Sequence, residues 1–392
     1  MSETVAVLSF SRIARDRRVM RQCALLTEMG HSPLVIALAE PGDSIPYRLA
    51  SLPPMRPTLT HRLSTLVRQV PAHMGPLAAE VGFWAASRHR WALEQLRAAR
   101  PPLVLANDWP ALVVAARWRA ESGASIHYDT HEFATLEFDE RAWWRAVYKP
   151  FVTALEGRHI GAASSVSTVG PLLAHELQAL YRLSSPPAVI RNTPDRIDLP
   201  VNPETSWPLR ILYHGQVLRD RGLETLLASL PHWREPHTLT IRGDGEAGYI
   251  AGLKAQVAAT GAAASRVRFE PAVPPDQVMA LAAASADLGV HFTPLETKQR
   301  HFSMPNKLFE YIGAGLAVAV SPGADLRAIV EEHGVGIVSA DATTEGAAAA
   351  INGLTRASVI SFRQAAREAA AILCWDSEKR ILASCLAPLL PH

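Results

Sequence analysis

The feature that most constrains the fold of this 392-residue chain is an alternation of short strands and helices that runs along it twice. An apolar strand over residues 4–10 leads to helical spacing over residues 19–29, closed by Gly30, and then to a strand over residues 33–38. Such alternation predicts parallel sheets covered by helices. Further strands are predicted at residues 103–106, 125–128, 165–168 and 188–190, and in the second half at 209–213, 238–241, 267–269, 288–290, 316–320 and 336–338. The chain is therefore predicted to be an α/β protein with two doubly wound, Rossmann-like domains.

A proline-rich connector separates the two runs. Residues 192–208 contain Pro194, Pro200, Pro203 and Pro208, and proline interrupts helices and central strands alike. A chain of this length also favours two domains, each large enough for its own hydrophobic core. We expect the boundary near residue 192 and a ligand between the domains, at the carboxyl ends of the strands. The closing stretch, residues 362–390, has helical spacing almost throughout.

Composition narrows the class of protein. Hydrophobic residues make up 48% of the chain and charged residues 19%, which is typical of a folded globular protein. No apolar run approaches the roughly 18 residues that a membrane-spanning helix needs. The first arginines follow the first apolar stretch instead of preceding it, unlike a signal peptide. The three cysteines show no C-x-x-C spacing, so we expect a reduced, cytoplasmic protein.

Charge is distributed unevenly along the chain. The net charge of +2 argues against a dedicated nucleic-acid binder, but residues 1–192 carry 21 Lys+Arg against 16 Asp+Glu. A basic first half favours an anionic acceptor or contact with the inner face of a membrane. Apolar residues recur at helical spacing at positions 59, 63, 66, 67 and 70, and arginines stand between them. This stripe fits either an amphipathic helix on a membrane or a helix packed on its own domain.

Residues 301–315 form the segment with the most chemical content. The preset φ of Pro305 suits the first turn of a helix, which Gly313 and Gly315 can end before the apolar run 316–320. On that helix Asn306, Lys307 and Glu310 share one face. Free N–H groups of the first turn beside a lysine form an anion site, and Glu310 could accept hydrogen bonds from a ribose diol. The segment indicates a nucleoside diphosphate site, although an ordinary surface Lys–Glu pair has the same spacing.

Two polar loops follow the first strands of the second half. Residues 214–222 lead from a strand into a helix and contain Arg219 and Arg221, and an arginine there can clamp a diphosphate. Residues 243–245 read Gly-Asp-Gly, which lacks the third glycine of a dinucleotide-binding loop. Such glycines indicate only that the backbone turns or approaches something closely. Both loops could equally be solvated surface.

The first half offers polar residues at similar positions. His131 follows the strand at residues 125–128, where a histidine can donate to a phosphate or a sugar hydroxyl. Asn107 and Asp108 end the preceding strand, and Asp16 and Arg17 lie in the first strand–helix loop. No metal-binding motif and no G-x-S-x-G elbow is present in the sequence.

These motifs, taken in order, resemble those of retaining glycosyltransferase family 4, whose members have the GT-B fold. The resemblance extends over nearly the whole chain. It is carried by residues 16–19 with 26–30, 128–132, 191–192, 212–215 with 221–222, 243–245, 305–315 and Trp375.

The resemblance implies two Rossmann-like domains facing across a cleft: an acceptor domain, residues 1–192, and a donor domain, residues 193–372. Residues 373–392 would form a helix that returns to the first domain. It implies metal-independent, retaining transfer of a sugar from a nucleoside diphosphate, with UDP or GDP expected, to a glycan, lipid-linked or small-molecule acceptor. No cofactor is implied. The catalytic residues would be His131, Arg221, Lys307 and Glu310. The donor would contact Gly215, Gln216, Arg219, Arg221, Gly243, Gly245, Ser303, Met304, Pro305, Asn306, Lys307 and Glu310, and the acceptor Asp16, Arg17, Asn107, Asp108 and His131.

Three positions depart from the family pattern. Phe302 stands where the family has the first of two glutamates, and Glu310 matches the second. Gln216 replaces an arginine and Arg221 replaces a lysine, so Arg219 would have to supply the missing charge. These departures keep two alternatives open. One is a sugar-nucleotide epimerase on the same fold, and the other is a catalytically impaired nucleotide-sugar-binding partner protein.

Overall fold

The computed structural model of the chain describes residues 3–54, 69–199 and 204–390. The chain divides into two compact units. Unit 1 comprises Met1–Ile190 and Lys379–His392, and unit 2 comprises Arg191–Glu378. Each unit is built around one parallel sheet. The predicted α/β fold class is therefore confirmed.

The sheet of unit 1 has seven described strands in the order β3-β2-β1-β4-β5-β6-β7. Their bounds are β1 Thr4–Arg12, β2 Ser32–Leu38, β3 Arg48–Ser51, β4 Leu103–Asn107, β5 Ser125–Asp129, β6 Ser165–Thr168 and β7 Ala188–Val189. The helices that accompany them are α1 Arg17–Glu28, α2 Pro76–Trp84, α3 Ser87–Ala99, α4 Asp108–Ser122, α5 Lys149–His159 and α6 Pro171–Tyr181. The central strands β1 and β4 are fully buried along most of their length because helices cover the sheet.

The sheet of unit 2 has six described strands in the order β10-β9-β8-β11-β12-β13. Their bounds are β8 Arg210–His214, β9 Thr238–Arg242, β10 Val267–Glu270, β11 Leu288–His291, β12 Ala317–Val320 and β13 Gly336–Val338. The helices are α7 Leu223–Ser229, α8 Ala247–Ala258, α9 Val278–Ser285, α10 Lys298–His301, α11 Asn306–Gly313, α12 Ala324–His333, α13 Thr344–Asn352, α14 Arg356–Ala370 and α15 Trp375–Leu386, which runs on into unit 1.

The strand order in both units reverses direction once. The reversal lies between β1 and β4 in unit 1 and between β8 and β11 in unit 2. In open parallel sheets, ligands bind at the carboxyl ends of the strands at this switch point. The residues that follow β1, β4 and β5 in unit 1, and those that follow β8 and β11 in unit 2, are therefore placed where ligands bind in such sheets.

Most predicted elements are present, with ends that differ by one or two residues. The edge strand β3 was missed because its sequence, Arg-Leu-Ala-Ser, has no continuous apolar run. Four positions of the predicted apolar stripe, 59, 63, 66 and 67, lie outside the described residues. The fifth, Val70, begins a short 3-10 helix, Val70–Met74, and the chain beyond it forms α2 and α3. In the described part of the chain, no helix is both long enough and apolar enough to span a membrane.

Candidate functional site

Helix α11 lies between the proline and the glycine that the sequence predicts as its limits. Pro305 immediately precedes the helix, with a φ of −72°, and Gly315 follows it with a φ of +68°, a left-handed conformation that favours glycine. Proline is thus the capping residue and not part of the first turn. The apolar residues Leu308 and Ile312 are fully buried. The opposite face therefore carries the polar residues of the helix.

Tyr311 fixes α11 to the switch point of the sheet. Its hydroxyl accepts a hydrogen bond from the backbone N–H of His214 (3.0 Å) and lies 3.4 Å from the carbonyl oxygen of Val290. The ring lies against Gly289, where an added Cβ would come within 2.2 Å of it. A fully buried tyrosine thus ties the helix to the ends of β8 and β11, and only glycine at position 289 leaves room for it.

Lys307 lies at the carboxyl end of β8. Its Nζ is 3.7 Å from the centroid of the Tyr213 ring, and a Cβ on Gly215 would lie 3.7 Å from the same Nζ. Burial and the charge of Arg221 lower the pKa of Lys307 to about 7, while Glu310 acts in the opposite direction. The amine is therefore about half protonated at neutral pH. An anion bound beside it would restore the full charge.

The charge of Arg221 acts on Lys307, and the residue that follows Arg221 packs against the end of β11. Gly222 has a φ of +75°, and a Cβ there would lie 1.7 Å from the carbonyl oxygen of Phe292, just beyond β11. The loop that carries Arg221 therefore packs directly on the end of that strand. The charges of Lys307 and Arg221 both reinforce the effect of burial, which holds the pKa of His291 well below its usual range. The sequence motif named Gly222, but its packing role follows only from the structure.

Glu310 lies beside His214, and its charge also acts on Lys307. The Nε2 atom of His214 is 3.4 Å from Oε2 of Glu310. Burial, with the charges of Lys307 and Arg242, lowers the pKa of His214 to about 3, so its ring is neutral. The structure thus brings Lys307, Arg221 and Glu310 to one edge of the unit 2 sheet.

The glycines of the two loops after β8 and β9 have a packing explanation. A Cβ on Gly243 would lie 1.8 Å from the carbonyl oxygen of Gly215, and one on Gly245 would lie 2.0 Å from that of Val217. The N–H of Val217 also donates to the carbonyl of Asp244 (2.9 Å). The close approach that these glycines predict is therefore made between the loops themselves. Their contact with a donor stays a prediction.

The remaining predicted donor residues are more dispersed. Gln216 is exposed, and its carbonyl accepts a hydrogen bond from the Tyr213 hydroxyl (2.9 Å). Arg219 lies over the ring of Tyr249, with 4.9 Å between its Cζ and the ring centroid. Asn306 is exposed, Ser303 and Pro305 are half-buried, and Met304 is buried. Phe302, in place of the family's first glutamate, is buried beside Lys298.

In unit 1 the polar residues converge on His131. Its Nε2 lies 3.0 Å from Oδ1 of Asn107 and 3.4 Å from Oδ2 of Asp129, and its Nδ1 lies 3.7 Å from Oδ1 of Asp108. Burial opposes a charged imidazole, but Asp108 and Asp129 outweigh it and raise the pKa of His131 to about 9. The ring is therefore an imidazolium at neutral pH, a hydrogen-bond donor and not a base.

A second layer of residues orients this histidine. Asp129 forms two hydrogen bonds with the buried guanidinium of Arg18 (2.6 and 2.9 Å) and one with the amide of Gln22 (2.9 Å). Gln22 also exchanges two hydrogen bonds of 2.9 Å with Asn107. Arg18 and Gln22 were not predicted as site residues. The sequence feature that could have indicated them is a pair of polar residues four positions apart on the apolar face of α1.

Asp16 and Arg17 are placed differently from the other predicted acceptor residues. The Asp16 carboxylate accepts from the N–H of Val19 (3.0 Å) and caps the start of α1. Arg17, the first residue of that helix, is exposed. Asp16 thus has a structural task of its own, and acceptor contact by either residue stays a prediction. Among the residues that the structure describes, no group of His, Cys, Asp or Glu is arranged to hold a metal ion.

Comparisons with known proteins agree with this architecture. Residues 208–356 match the family model described as glycosyl transferases group 1. Sucrose-phosphate synthase from Thermosynechococcus elongatus has a similar structure, with 15% identity, a TM-score of 0.74 and 99% of each chain covered. The lipopolysaccharide outer core galactosyltransferase WaaB is similar at 12% identity and TM-score 0.67, with 99% of this chain and all of that chain covered. Anabaena Alr3699/HepE, solved with UDP and glucose, gives 16% identity and TM-score 0.66, with 98% of this chain and all of that chain covered. No curated protein matches the sequence.

At such identities the similar structures establish the fold, and the family model covers most of unit 2. Both agree with the strand orders and with the motifs in the sequence. The chain has the GT-B fold, and residues 208–356 of its second unit match the glycosyl transferases group 1.

Proposed function

We propose that the protein is a retaining, metal-independent glycosyltransferase of family 4 that moves a sugar from a nucleoside diphosphate to an acceptor hydroxyl. The observation that carries the proposal is the arrangement of Lys307, Arg221 and Glu310 at the switch point of unit 2. Two cations beside the start of a helix suit a diphosphate. A carboxylate one turn along the helix suits a ribose diol.

Each of these residues has a task in the proposed reaction. As the sugar departs, negative charge develops on the diphosphate, and Lys307 and Arg221 stabilise it. The leaving phosphate takes the proton of the acceptor hydroxyl on the same face of the sugar, so no protein nucleophile is needed. No metal ion or cofactor is assigned to the reaction. Glu310 binds the ribose and does not take part in bond cleavage.

UDP is the first donor nucleotide to test, with GDP as the second. Structures of Anabaena Alr3699/HepE are described as complexes with UDP and with UDP-glucose. The similarity in fold extends over the whole length of that protein, and this supports a UDP-sugar as the donor here.

In unit 1 we assign acceptor binding to His131 with Asn107 and Asp108. An imidazolium that faces two carboxylates can donate to a sugar hydroxyl or to a phosphate of the acceptor. The acceptor classes that fit are a glycan, a lipid-linked sugar or a small molecule.

We also propose contact with the inner face of a membrane, in the cytoplasm. Met74, Leu77 and Val81 are 84%, 67% and 74% exposed and follow helical spacing on and just before α2. Groups of exposed apolar side chains mark interaction surfaces, and the basic charge of residues 1–192 suits anionic lipid.

Cosedimentation with phosphatidylglycerol vesicles tests the contact of Met74, Leu77 and Val81 with a membrane. Replacing all three residues with serine should abolish binding, whereas Ile360→Ser, 46% exposed in unit 2, should not. Equal binding by both variants would contradict the proposal.

The central experiment is thermal unfolding with UDP, GDP, dTDP, ADP and CMP. A nucleotide at about a hundred times its Kd should add roughly 2.7 kcal/mol of stability. The shift should occur with one diphosphate and be lost in Glu310→Ala. No shift with any nucleotide would contradict the proposal.

Turnover of the bound sugar nucleotide then separates transferase from epimerase. A retaining transferase needs an acceptor hydroxyl, and its product keeps the anomeric configuration of the donor, which NMR measures directly. An epimerase would consume the sugar nucleotide with no acceptor present.

A further inference from the structure

Two buried nitrogen atoms at the carboxyl edge of the unit 2 sheet have no hydrogen-bond partner. They are Nε2 of His214, at the end of β8, and Nη1 of Arg242, at the end of β9. The two residues are only 5% and 7% exposed. Buried polar groups in proteins are normally paired, and an unpaired charged donor is costly. Such groups indicate a place where a ligand or a water molecule supplies the missing partner.

The register of the sheet places the two side chains together. His214 and Arg242 are directly paired residues of the parallel strands β8 and β9. The N–H of Gly215 donates to the Arg242 carbonyl (3.0 Å), which continues this pairing beyond the strand end. Because paired residues of neighbouring strands point to the same face, both side chains lie on one side of the sheet. The charge of Arg242 also contributes to keeping His214 neutral.

The guanidinium of Arg242 is fixed along one edge. Its Nε donates to Oε2 of Glu270 (2.9 Å), and its Nη2 donates to Oγ of Ser285 (3.1 Å). Nη1 lies on the opposite edge of the planar group, so the same two contacts that hold the side chain also orient the unused donor. An arginine held in this way is preorganised to bind something else.

Nucleoside binding is the chemistry that this position suits. His214 Nε2 lies 3.4 Å from the Glu310 carboxylate, which is the proposed ribose ligand. The charge of Lys307, a proposed diphosphate ligand, also acts on His214. Arg242, which is paired with His214 across β8 and β9, is therefore one strand away from the residue that lies beside the proposed ribose ligand.

We propose that Arg242, through Nη1, donates a hydrogen bond to an oxygen acceptor of the donor's nucleoside, with His214 beside it. This inference rests on the proposed function and adds a nucleoside-binding residue that the sequence motifs do not indicate. Arg242 contributes to nucleotide affinity, whereas Lys307 and Arg221 bind the diphosphate that every donor shares.

The test compares UDP and GDP with pyrophosphate, by titration calorimetry, on the full chain. Arg242→Met should weaken binding of the nucleotide that the natural protein prefers by about tenfold, as expected for one lost hydrogen bond to a charged group. Pyrophosphate, which has no nucleoside, should bind within about twofold of the natural affinity. Glu270→Gln is the matched control because it weakens the anchor of Arg242 but keeps Nη1, and it should retain most of the nucleotide affinity.

The outcomes are distinguishable. Unchanged nucleotide affinity in Arg242→Met would show that Nη1 holds only water and would overturn the inference alone. Equal losses for nucleotide and pyrophosphate would show a merely structural role and would also overturn it. If Arg242→Met does not fold, Arg242→Lys retains the charge without the fork of donors and should show the same selective loss. Failure of the natural protein to bind any nucleoside diphosphate would overturn the proposed function itself.

Discussion

Lys307 gives the sharpest prediction, because its ionisation is linked to ligand binding. Burial and Arg221 lower its pKa to about 7. A diphosphate beside the amine favours the ammonium form and should return the pKa toward its ordinary value near 10.4. Binding should therefore take up a proton at neutral pH. The phosphate groups of the nucleotide are already ionised above about pH 7, so they add little to this uptake.

The size of the effect follows from the pKa. At pH 7 about half of the Lys307 amines are uncharged, so each bound nucleotide should take up about 0.5 proton. Between pH 7 and pH 9 the protonated fraction in the free protein falls from about one half to about one hundredth, so nucleotide affinity should fall by up to about 50-fold. The unligated protein shows the opposite trend. Its free energy of unfolding should rise with pH above 7, because only the unfolded chain still keeps this proton.

Calorimetric titration of UDP in buffers with different ionisation enthalpies measures the proton uptake directly. Lys307→Arg is the matched variant because its charge does not titrate, so it should bind UDP with little dependence on pH and no uptake. If the natural protein binds UDP with no proton uptake at pH 7 and equal affinity at pH 9, Lys307 is not partly neutral in the free protein.

Three further predictions concern positions away from Lys307. His131 should stay protonated to about pH 8 when its titration is followed by NMR, and Asp108→Asn should lower the pKa of His131. The stability that the charged His131 contributes should be complete below pH 6.5 and should be lost as pH rises through about 9. A neutral His131 at pH 7 would contradict this. In urea unfolding, Gly222→Ala should cost more than Gly261→Ala, because the new Cβ meets a carbonyl oxygen 1.7 Å away at the first position and open space at the second. Gly261→Ala itself should cost about 1–2 kcal/mol for its positive φ, and equal costs would refute the packing argument. Tyr311→Phe should destabilise the protein by about 1–3 kcal/mol, since a buried backbone N–H loses its acceptor; no change in urea unfolding would show that the hydroxyl is not needed.

Arg18 and Asp129 form a buried ion pair beside His131. Burial opposes the charged form of Asp129, yet Arg18 and His131 hold its pKa well below the usual range. Arg18 also donates to the carbonyl of Ile190 (2.8 Å), so it connects the end of β5 with the chain beyond β7. Buried pairs are weak contributors to stability but are costly to break. Their value here is orientation, because they fix the carboxylate that faces the imidazolium.

The sequence alone was sufficient for most elements of the fold and for the helix that carries Lys307 and Glu310. Strand and helix spacing, proline and glycine act over a few residues, so their effects can be derived locally. The face shared by Lys307 and Glu310 follows from helical geometry in the same way. Family resemblance added the order of the motifs and the GT-B fold.

Only the tertiary structure decided which distant residues meet. Asp129 and Arg18 are 111 positions apart, and His214 and Tyr311 are 97 positions apart. Their contacts depend on strand order and register, which no local pattern encodes. The ionisation of His131 and Lys307 depends in turn on those neighbours and on burial. The unpaired Nη1 of Arg242 also depends on tertiary structure, because only the folded chain shows which of its other nitrogen atoms have partners.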